Sequence, residues 1–289
     1  LPHLREPVPL NVGLRENVSL YTYKQNDVIS ELIYAYRVWE SIETRLISAN
    51  VRPGDVVIDL GANIGYYTTI CSRLVGPHGQ VHAFEPDDKN FLTLQLNLAL
   101  NNIQNVKPVK AVVSDSEGIA VFELRSQVND GAHMVVHGDS QAEGGFSRTC
   151  HPKLTLDQYL KHNPQIDRIN FIKMDTQGSE PFILKGAQDA IRSNRNHLKM
   201  VIEFDPVWVQ SIGGEDPIEY LSWIESMGFK LFHIDKLSDS VVPLGDKKEF
   251  VERVKASDGV TWVKSEAFAD LVVVPKDFQG SVALSPQLS

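Results

Sequence analysis

Cysteine is almost missing from this chain: Cys71 and Cys150 are the only two in 289 residues. They form no C-x-x-C pair and no zinc-ligand spacing, which excludes a disulfide-stapled scaffold and a structural zinc module. Both read as incidental thiols of a reducing compartment, so a cytoplasmic location is expected. Long hydrophobic runs are missing too. Nothing approaches the roughly 20 apolar residues of a membrane span, so no span is expected. Positive charge is in short supply, with 28 Lys and Arg against 37 Asp and Glu, a net charge of −9. Tracking a nucleic-acid backbone takes clustered cations, so no nucleic-acid partner is expected. His133 and His137 are four residues apart, but Gly131, Val135, Val136 and Gly138 oppose the helix that would align two imidazoles. With no H-E-x-x-H beside them, no metal is expected. The chain shows no internal repeat, low-complexity segment or signal peptide. It opens on Leu1 rather than Met, as removal of a leader or tag leaves a chain.

What is present is a globular composition, 42% hydrophobic and 22% charged, enough for one large α/β domain or two small ones. The chain is organised around residues 55–65. Val56, Val57 and Ile58 read as a buried parallel strand that stops at Asp59 and passes through Gly61 and Gly65 into a helix over 66–75. A strand, a glycine turn and a helix bring backbone close to a nucleotide-like ligand at the carboxyl end of a sheet. The pattern is D-x-G-x-N-x-G rather than G-x-G-x-x-G, with Tyr66-Tyr67 where a dinucleotide site would carry its third glycine. An acid at position 59 repels a diphosphate and suits an ammonium or sulfonium group. S-adenosyl-L-methionine carries both.

Along the chain, residues 1–50 read as an N-terminal segment and a covering helix, with a strand at 18–23. The helical periodicity runs from Ile29 through Leu46, broken once. Glu40 reaches toward the cofactor's amino-acid end in one reading, but the sequence favours a core-and-surface role for this helix. A second strand, 80–84, ends at Glu85-Pro86, about twenty residues past the glycine turn, where a carboxylate accepts ribose hydroxyls. A third strand, 106–113, leads to Ser114-Asp115, where an adenine ring meets a backbone N–H or a side chain. Residues 126–152 lack periodicity and read as a long loop over the active site that helps choose the substrate. A fourth strand, 171–174, ends at Asp175 and continues Thr176-Gln177-Gly178-Ser179-Glu180-Pro181 into a helix. A fifth strand, 200–202, ends in Glu203. Sixth and seventh strands are expected at 229–234 and 271–274, separated by a charged excursion that holds a solvated helix. A flexible tail is expected over 281–289.

Taken in order, Asp59-Leu60-Gly61-Ala62-Asn63-Ile64-Gly65, Phe84-Glu85-Pro86 and Asp175-Thr176-Gln177-Gly178-Ser179-Glu180 followed by Lys185-Gly186-Ala187 resemble the FkbM family of S-adenosylmethionine-dependent methyltransferases. The resemblance covers roughly residues 37–235. It implies a class I methyltransferase (Rossmann-like) three-layer α/β/α sandwich over 51–280, with seven strands, six parallel and the last antiparallel. One departure is Gln177, where the family usually has glutamate, which touches any role there that needs negative charge. The expected donor-binding residues are Asp59, Gly61, Ala62, Asn63, Gly65, Glu85, Pro86, Ser114, Asp175 and Gln177.

The implied chemistry is displacement at the donor's methyl carbon, in line with the departing sulfur, leaving S-adenosyl-L-homocysteine. A hydroxyl is a weak nucleophile and needs a base; Asp175, Glu203 and His151 are the candidates. Asp175 equally suits the donor's methionine end, and the sequence leaves both roles open. An Asp-Thr-Gln-Gly turn after strand four, in place of an Asn/Asp-Pro-Pro-aromatic turn, favours an oxygen acceptor on a small molecule, sugar or polyketide over a nucleobase amine. The competing hypotheses are a non-catalytic donor-binding module and a Rossmann-like enzyme of another class.

Overall fold

The computed structural model describes residues 2–25, 27–124, 133–136, 147–256, 269–279 and 282–285. The chain divides into two compact units: Leu1–Val112 with Gly118–Lys153 and Leu284–Ser289, and Val113–Glu117 with Leu154–Ala283.

In the first unit, β1 (Val8–Pro9) and β2 (Ser19–Leu20) pair antiparallel. The expected broken helix is α1 (Val28–Tyr36) and α2 (Ser41–Asn50). Asp27 caps α1 by accepting the Ser30 N–H. Between the helices the chain passes through left-handed backbone at Arg37 (φ 62°) and Glu40 (φ 41°). Then follow β3 (Val56–Leu60), α3 (Tyr66–Val75), β4 (Gln80–Phe84), α4 (Asp88–Leu100) and β5 (Val106–Val109), with β4 parallel to both β3 and β5. Val57, Ile58, Val81 and Ala83 are fully buried, as strands covered on both faces require. Pro108 has no N–H to give and is accommodated because β5 is an edge strand. The single strand expected over 106–113 is divided, because Ala111 N–H turns back to Val109 O before β6 (Val112–Val113).

Helix α4 buries Leu94 and Leu98 against Ala62 and Ala83, with Phe91, Ile103 and Val106 packed around them. Leu92, on the same helix, is exposed. A second buried stripe of α4 is polar. Asn97 accepts the Tyr21 N–H at 2.7 Å and donates to Tyr21 O at 3.2 Å, while its Nδ2 also donates to Ile64 O at 2.8 Å. Asn101 accepts the Ser19 N–H at 3.0 Å and donates to Ser19 O at 2.7 Å. These two amides pair with the N-terminal segment as a neighbouring strand would, satisfying backbone groups that burial would otherwise leave costly.

The irregular loop expected over 126–152 is corrected by two strands within it. β7 (Gly118–Leu124) is the central strand of an antiparallel set, flanked by β8 (His133–Val136) and β9 (Ser147–Leu154), with Ala120 opposite His151 and Val121 opposite Val136. His133 lies in a strand, in keeping with the glycines and valines around it; His137 lies outside the described residues. Ser285, expected in a flexible tail, accepts from Arg45 Nε at 2.9 Å and donates its N–H to Arg45 O at 3.2 Å.

In the second unit come α5 (Leu156–Lys161), β10 (Phe171–Met174), α6 (Glu180–Lys185), α7 (Gln188–Asn194), β11 (Lys199–Phe204), α8 (Pro206–Ser211), α9 (Pro217–Ser226), β12 (Phe229–Asp235), β13 (Ser240–Pro243), α10 (Lys247–Ala256) and β14 (Ala269–Pro275). β10 and β11 are parallel, and β14 runs antiparallel between β11 and β12. The antiparallel last strand is therefore present. The count of seven is not: it misses β13, which forms a hairpin with β12 inside the charged excursion. Helix α10 lies where a solvated helix was expected, but Phe250, Val251 and Val254 are buried. Phe250 stacks on Phe204 at 5.7 Å, and Phe204 on Tyr220 at 6.3 Å. No helix among the described residues is long and apolar enough to cross a membrane.

Candidate active site

The first unit carries the turn between β3 and α3. Gly61 (φ 81°) and Ala62 both donate their N–H groups to Phe84 O, at 3.1 and 2.9 Å, tying the turn to the end of β4. Asn63 takes a left-handed conformation (φ 50°) that asparagine tolerates, and its side chain accepts the Ile64 N–H at 2.6 Å. Gly65 (φ 91°) is required on two counts, since a Cβ would also lie 2.5 Å from Leu94 Cδ1.

Two buried acids fasten this turn. Asp59 is 1% exposed and its Oδ2 accepts from Thr68 Oγ1 at 2.5 Å, joining the strand's last turn of backbone to the first turn of α3. Glu85 is 5% exposed; its Oε2 accepts the Asn63 N–H at 2.8 Å and its Oε1 the Asp87 N–H at 2.9 Å. Burial raises the Glu85 pKa to about 8, opposed by those two N–H bonds and reinforced by Asp87 and Asp59. In its ionised form a carboxylate has about four lone-pair sites, so each Glu85 oxygen then has room for one hydroxyl beside its N–H. That capacity fits a ribose diol, and Pro86, partly buried, leads into the Asp87 cap of α4.

His151, a base candidate, is also in this unit, within β9. It is 3% exposed and its Nε2 lies 2.7 Å from Thr149 Oγ1. Burial lowers its pKa, with Asp88 opposing and Lys110 assisting, which favours the neutral imidazole.

The second unit carries the remaining candidates. Asp175 follows β10, and its Oδ2 pairs with Lys173 Nζ at 2.8 Å; the Asp175 side chain is 32% exposed. Gln177 (φ 54°) and Gly178 (φ 94°) both turn left-handed, and a Cβ on Gly178 would meet Ile212 Cδ1 at 2.7 Å. Glu180, fully buried, holds this turn. Its Oε1 accepts from Thr176 N at 2.7 Å and Thr176 Oγ1 at 2.8 Å, and its Oε2 from Gly178 N at 2.8 Å. Burial pushes its pKa up to about 7 against those bonds.

Ser114 is placed differently from expectation. Its N–H, one of the groups expected to meet adenine, donates to Leu154 O at 2.9 Å. Its carbonyl lies so close to Gly186 that a Cβ there would come within 2.0 Å, so Gly186 is a packing requirement. Glu203, expected beyond a strand end, is inside β11 and opposite Asp270 of β14, which is paired with Lys236 at 3.4 Å.

Sequence reasoning missed Lys173 and Thr68. Lys173 had a signal, a lone cation inside the apolar run Phe171–Met174. Thr68 had none, because a hydroxyl one turn into a helix identifies no partner. Among the described residues no group of His, Cys, Asp or Glu could hold a metal ion.

A family description, "Methyltransferase FkbM domain", matches residues 59–231, which run from Asp59 through the turn of Asp175 into β12. The chain belongs to the FkbM methyltransferase family. It is accordingly an S-adenosyl-L-methionine-dependent methyltransferase of the Rossmann-like class I α/β fold. This FkbM-family chain is similar to the hexuronic acid methyltransferase AglP of Haloferax volcanii, 28% identical over 207 residues that cover 72% of this chain and 73% of the relative. It is similar to the 31-O-demethyl-FK506 methyltransferase FkbM of Streptomyces tacrolimicus, 28% identical over 167 residues that cover 48% of this chain and 62% of that protein. Among solved structures it is similar to Aeropyrum pernix fibrillarin in complex with S-adenosyl-L-methionine, with TM-score 0.44, 12% identity, and coverage of 93% of this chain and 99% of that one.

Proposed function

We propose that this FkbM-family chain methylates a hydroxyl oxygen of a small molecule, with sugars and polyketide-like polyols as the acceptor classes. Two relatives support the acceptor class by name, one named for a hexuronic acid and one for 31-O-demethyl-FK506. The observation that carries the chemistry is the Asp175–Lys173 pair, a partly exposed carboxylate fixed at a strand end.

When bound, the donor supplies a methyl group made electrophilic by its sulfonium. The residues of this chain then have separate tasks. Glu85 takes the ribose hydroxyls, while Gly61, Ala62, Asn63, Gly65 and Pro86 shape the turn beside them. Asp59 sets the turn by holding Thr68. Gln177 offers a neutral amide for hydrogen bonding where a glutamate would offer charge. Asp175 takes the proton from the acceptor hydroxyl as the new C–O bond forms, and Lys173 orients the carboxylate. Glu203 and His151 are left as secondary candidates, the first within a strand and the second nearly inaccessible.

The test is incubation of the chain with S-adenosyl-L-methionine and separate hexuronic-acid glycans and macrolide polyols, with S-adenosyl-L-homocysteine quantified and products examined by mass spectrometry. The proposal expects S-adenosyl-L-homocysteine release that depends on the acceptor, with the new methyl on oxygen. A methyl group found on nitrogen or carbon, or donor binding with no acceptor-dependent turnover, would overturn it.

A further inference from the structure

The donor presents an ammonium group in addition to its ribose, and around the glycine turn the first unit offers several acids. Asp59, Glu43 and Glu85 are buried, at 1%, 4% and 5% exposure. Asp59 is bonded to Thr68 and Glu85 to two backbone N–H groups. Glu40 is different: it is only partly buried.

Its placement is also unusual. Glu40 immediately precedes α2 with φ 41° and ψ 71°, left-handed backbone that is strained for a side-chain-bearing residue and that glycine or asparagine would adopt more easily. The surroundings enforce it. Tyr67 OH donates to Glu40 Oε2 at 2.8 Å. Tyr66 OH accepts the Trp39 N–H at 3.0 Å and lies 3.0 Å from Thr44 Oγ1, which donates to Trp39 O at 2.8 Å. Tyr66 and Tyr67 are the two residues that directly follow Gly65, and the next residue, Thr68, is the one bonded to Asp59. One turn of α3 therefore locks the glycine turn on one side and the strained Trp39–Glu40 junction on the other.

We infer that Glu40 is the acid that receives the donor's ammonium group, with Tyr67 as the positioning residue that orients its carboxylate. This rests on the donor reading above. It takes up the reading of Glu40 that the sequence offered but ranked below a core-and-surface role for its helix. Tyr67 OH holds Oε2 of the carboxylate, and a charge-assisted hydrogen bond from an ammonium N–H to a carboxylate is among the strong ones.

The experiment is calorimetric titration of the purified chain with S-adenosylhomocysteine and with its desamino analogue, which differs only in lacking the ammonium. Glu40→Gln keeps shape and removes charge. It is expected to weaken S-adenosylhomocysteine about tenfold or more, and to leave the desamino analogue within about twofold. Tyr67→Phe is expected to show the same ligand dependence with a smaller loss, and carries the test if Glu40→Gln fails to fold. Equal weakening of both ligands would show a structural role and overturn the inference, as would unchanged affinity for both. Failure of the unaltered chain to bind either ligand would instead overturn the donor reading itself.

Discussion

Two turns in this molecule are built to the same plan and differ in who holds them. The turn after β3 and the turn after β10 each run from an apolar strand to an acid, then a glycine, then a helix. In the first, the carboxylate that accepts the turn's N–H comes from a neighbouring strand, Glu85 reaching Asn63. In the second it comes from the helix that the turn itself begins, Glu180 reaching back to Thr176 and Gly178. The acids at the strand ends differ in consequence. Asp59 is 1% exposed and works as an internal strut, whereas the Asp175 side chain is 32% exposed and opposed by a lysine. A turn fastened from outside has a fixed outline suited to gripping a ligand; a turn fastened from within can leave its leading acid accessible for chemistry.

The largest expected effect separates these two roles. Asp175→Asn should lower kcat by roughly a hundredfold to ten-thousandfold, the range for loss of a general base, with donor affinity little changed in titration. If donor affinity falls as far as kcat, Asp175 belongs to the gripping side of the comparison. Next in size, Gly65→Ala should destabilise the fold by about 3 kcal/mol, from left-handed strain together with the Leu94 clash, read as a fall in Tm. A Tm within a degree or so of the parent would mean the outline of the first turn is less fixed than its contacts imply.

The pH dependence of stability tests both buried carboxylates. Glu85 and Glu180 have folded pKa values raised by burial to about 8 and about 7, above the ordinary range for an unfolded glutamate. The folded state therefore holds protons that the unfolded chain gives up. Their contribution is fully present below the unfolded pKa and is lost as pH rises through about 7 and then about 8. Tm of the ligand-free chain should fall across that window, and Glu180→Gln should flatten the lower part and Glu85→Gln the upper part. A Tm that climbs from pH 5 to 8, with both variants tracking the parent, would contradict the assignment. The smallest effect is expected at Lys185→Ala. Its 2.5 Å pair with Glu215 joins side chains 38% and 32% exposed, so solvent screening limits the change to about 1 kcal/mol or less.

The sequence made the first turn legible because every element of it is local: an apolar run, an acid, glycines, then a helical period. The second acid was legible in the same way, and so was Glu85 once its distance from the turn was counted. What stayed hidden was long-range. Asn97 and Asn101 look like ordinary helix-surface residues until β2 is laid beside them, and no local pattern says that two amides will stand in for a strand. β8 and β9 were hidden because a mixed-polarity stretch with glycines shows neither period, and pairing to β7 decides its form. Glu203 was read one register too late, since β11 continues for two residues past its apolar run. Glu40 was visible only as one of two readings, because the left-handed backbone before α2 and the bond from Tyr67 leave no mark in composition.

The amide of Asn97 joins the N-terminal arm to the donor turn through one side chain, with Tyr21 on one side and Ile64 on the other. Clipping the arm with a protease, or displacing it with a fused domain, would strip that amide of its Tyr21 partners and free it to swing. The disturbance would be transmitted to the carbonyl just ahead of Gly65. If the glycine turn holds the donor as proposed above, donor affinity would then report at a distance whether the leading segment is seated.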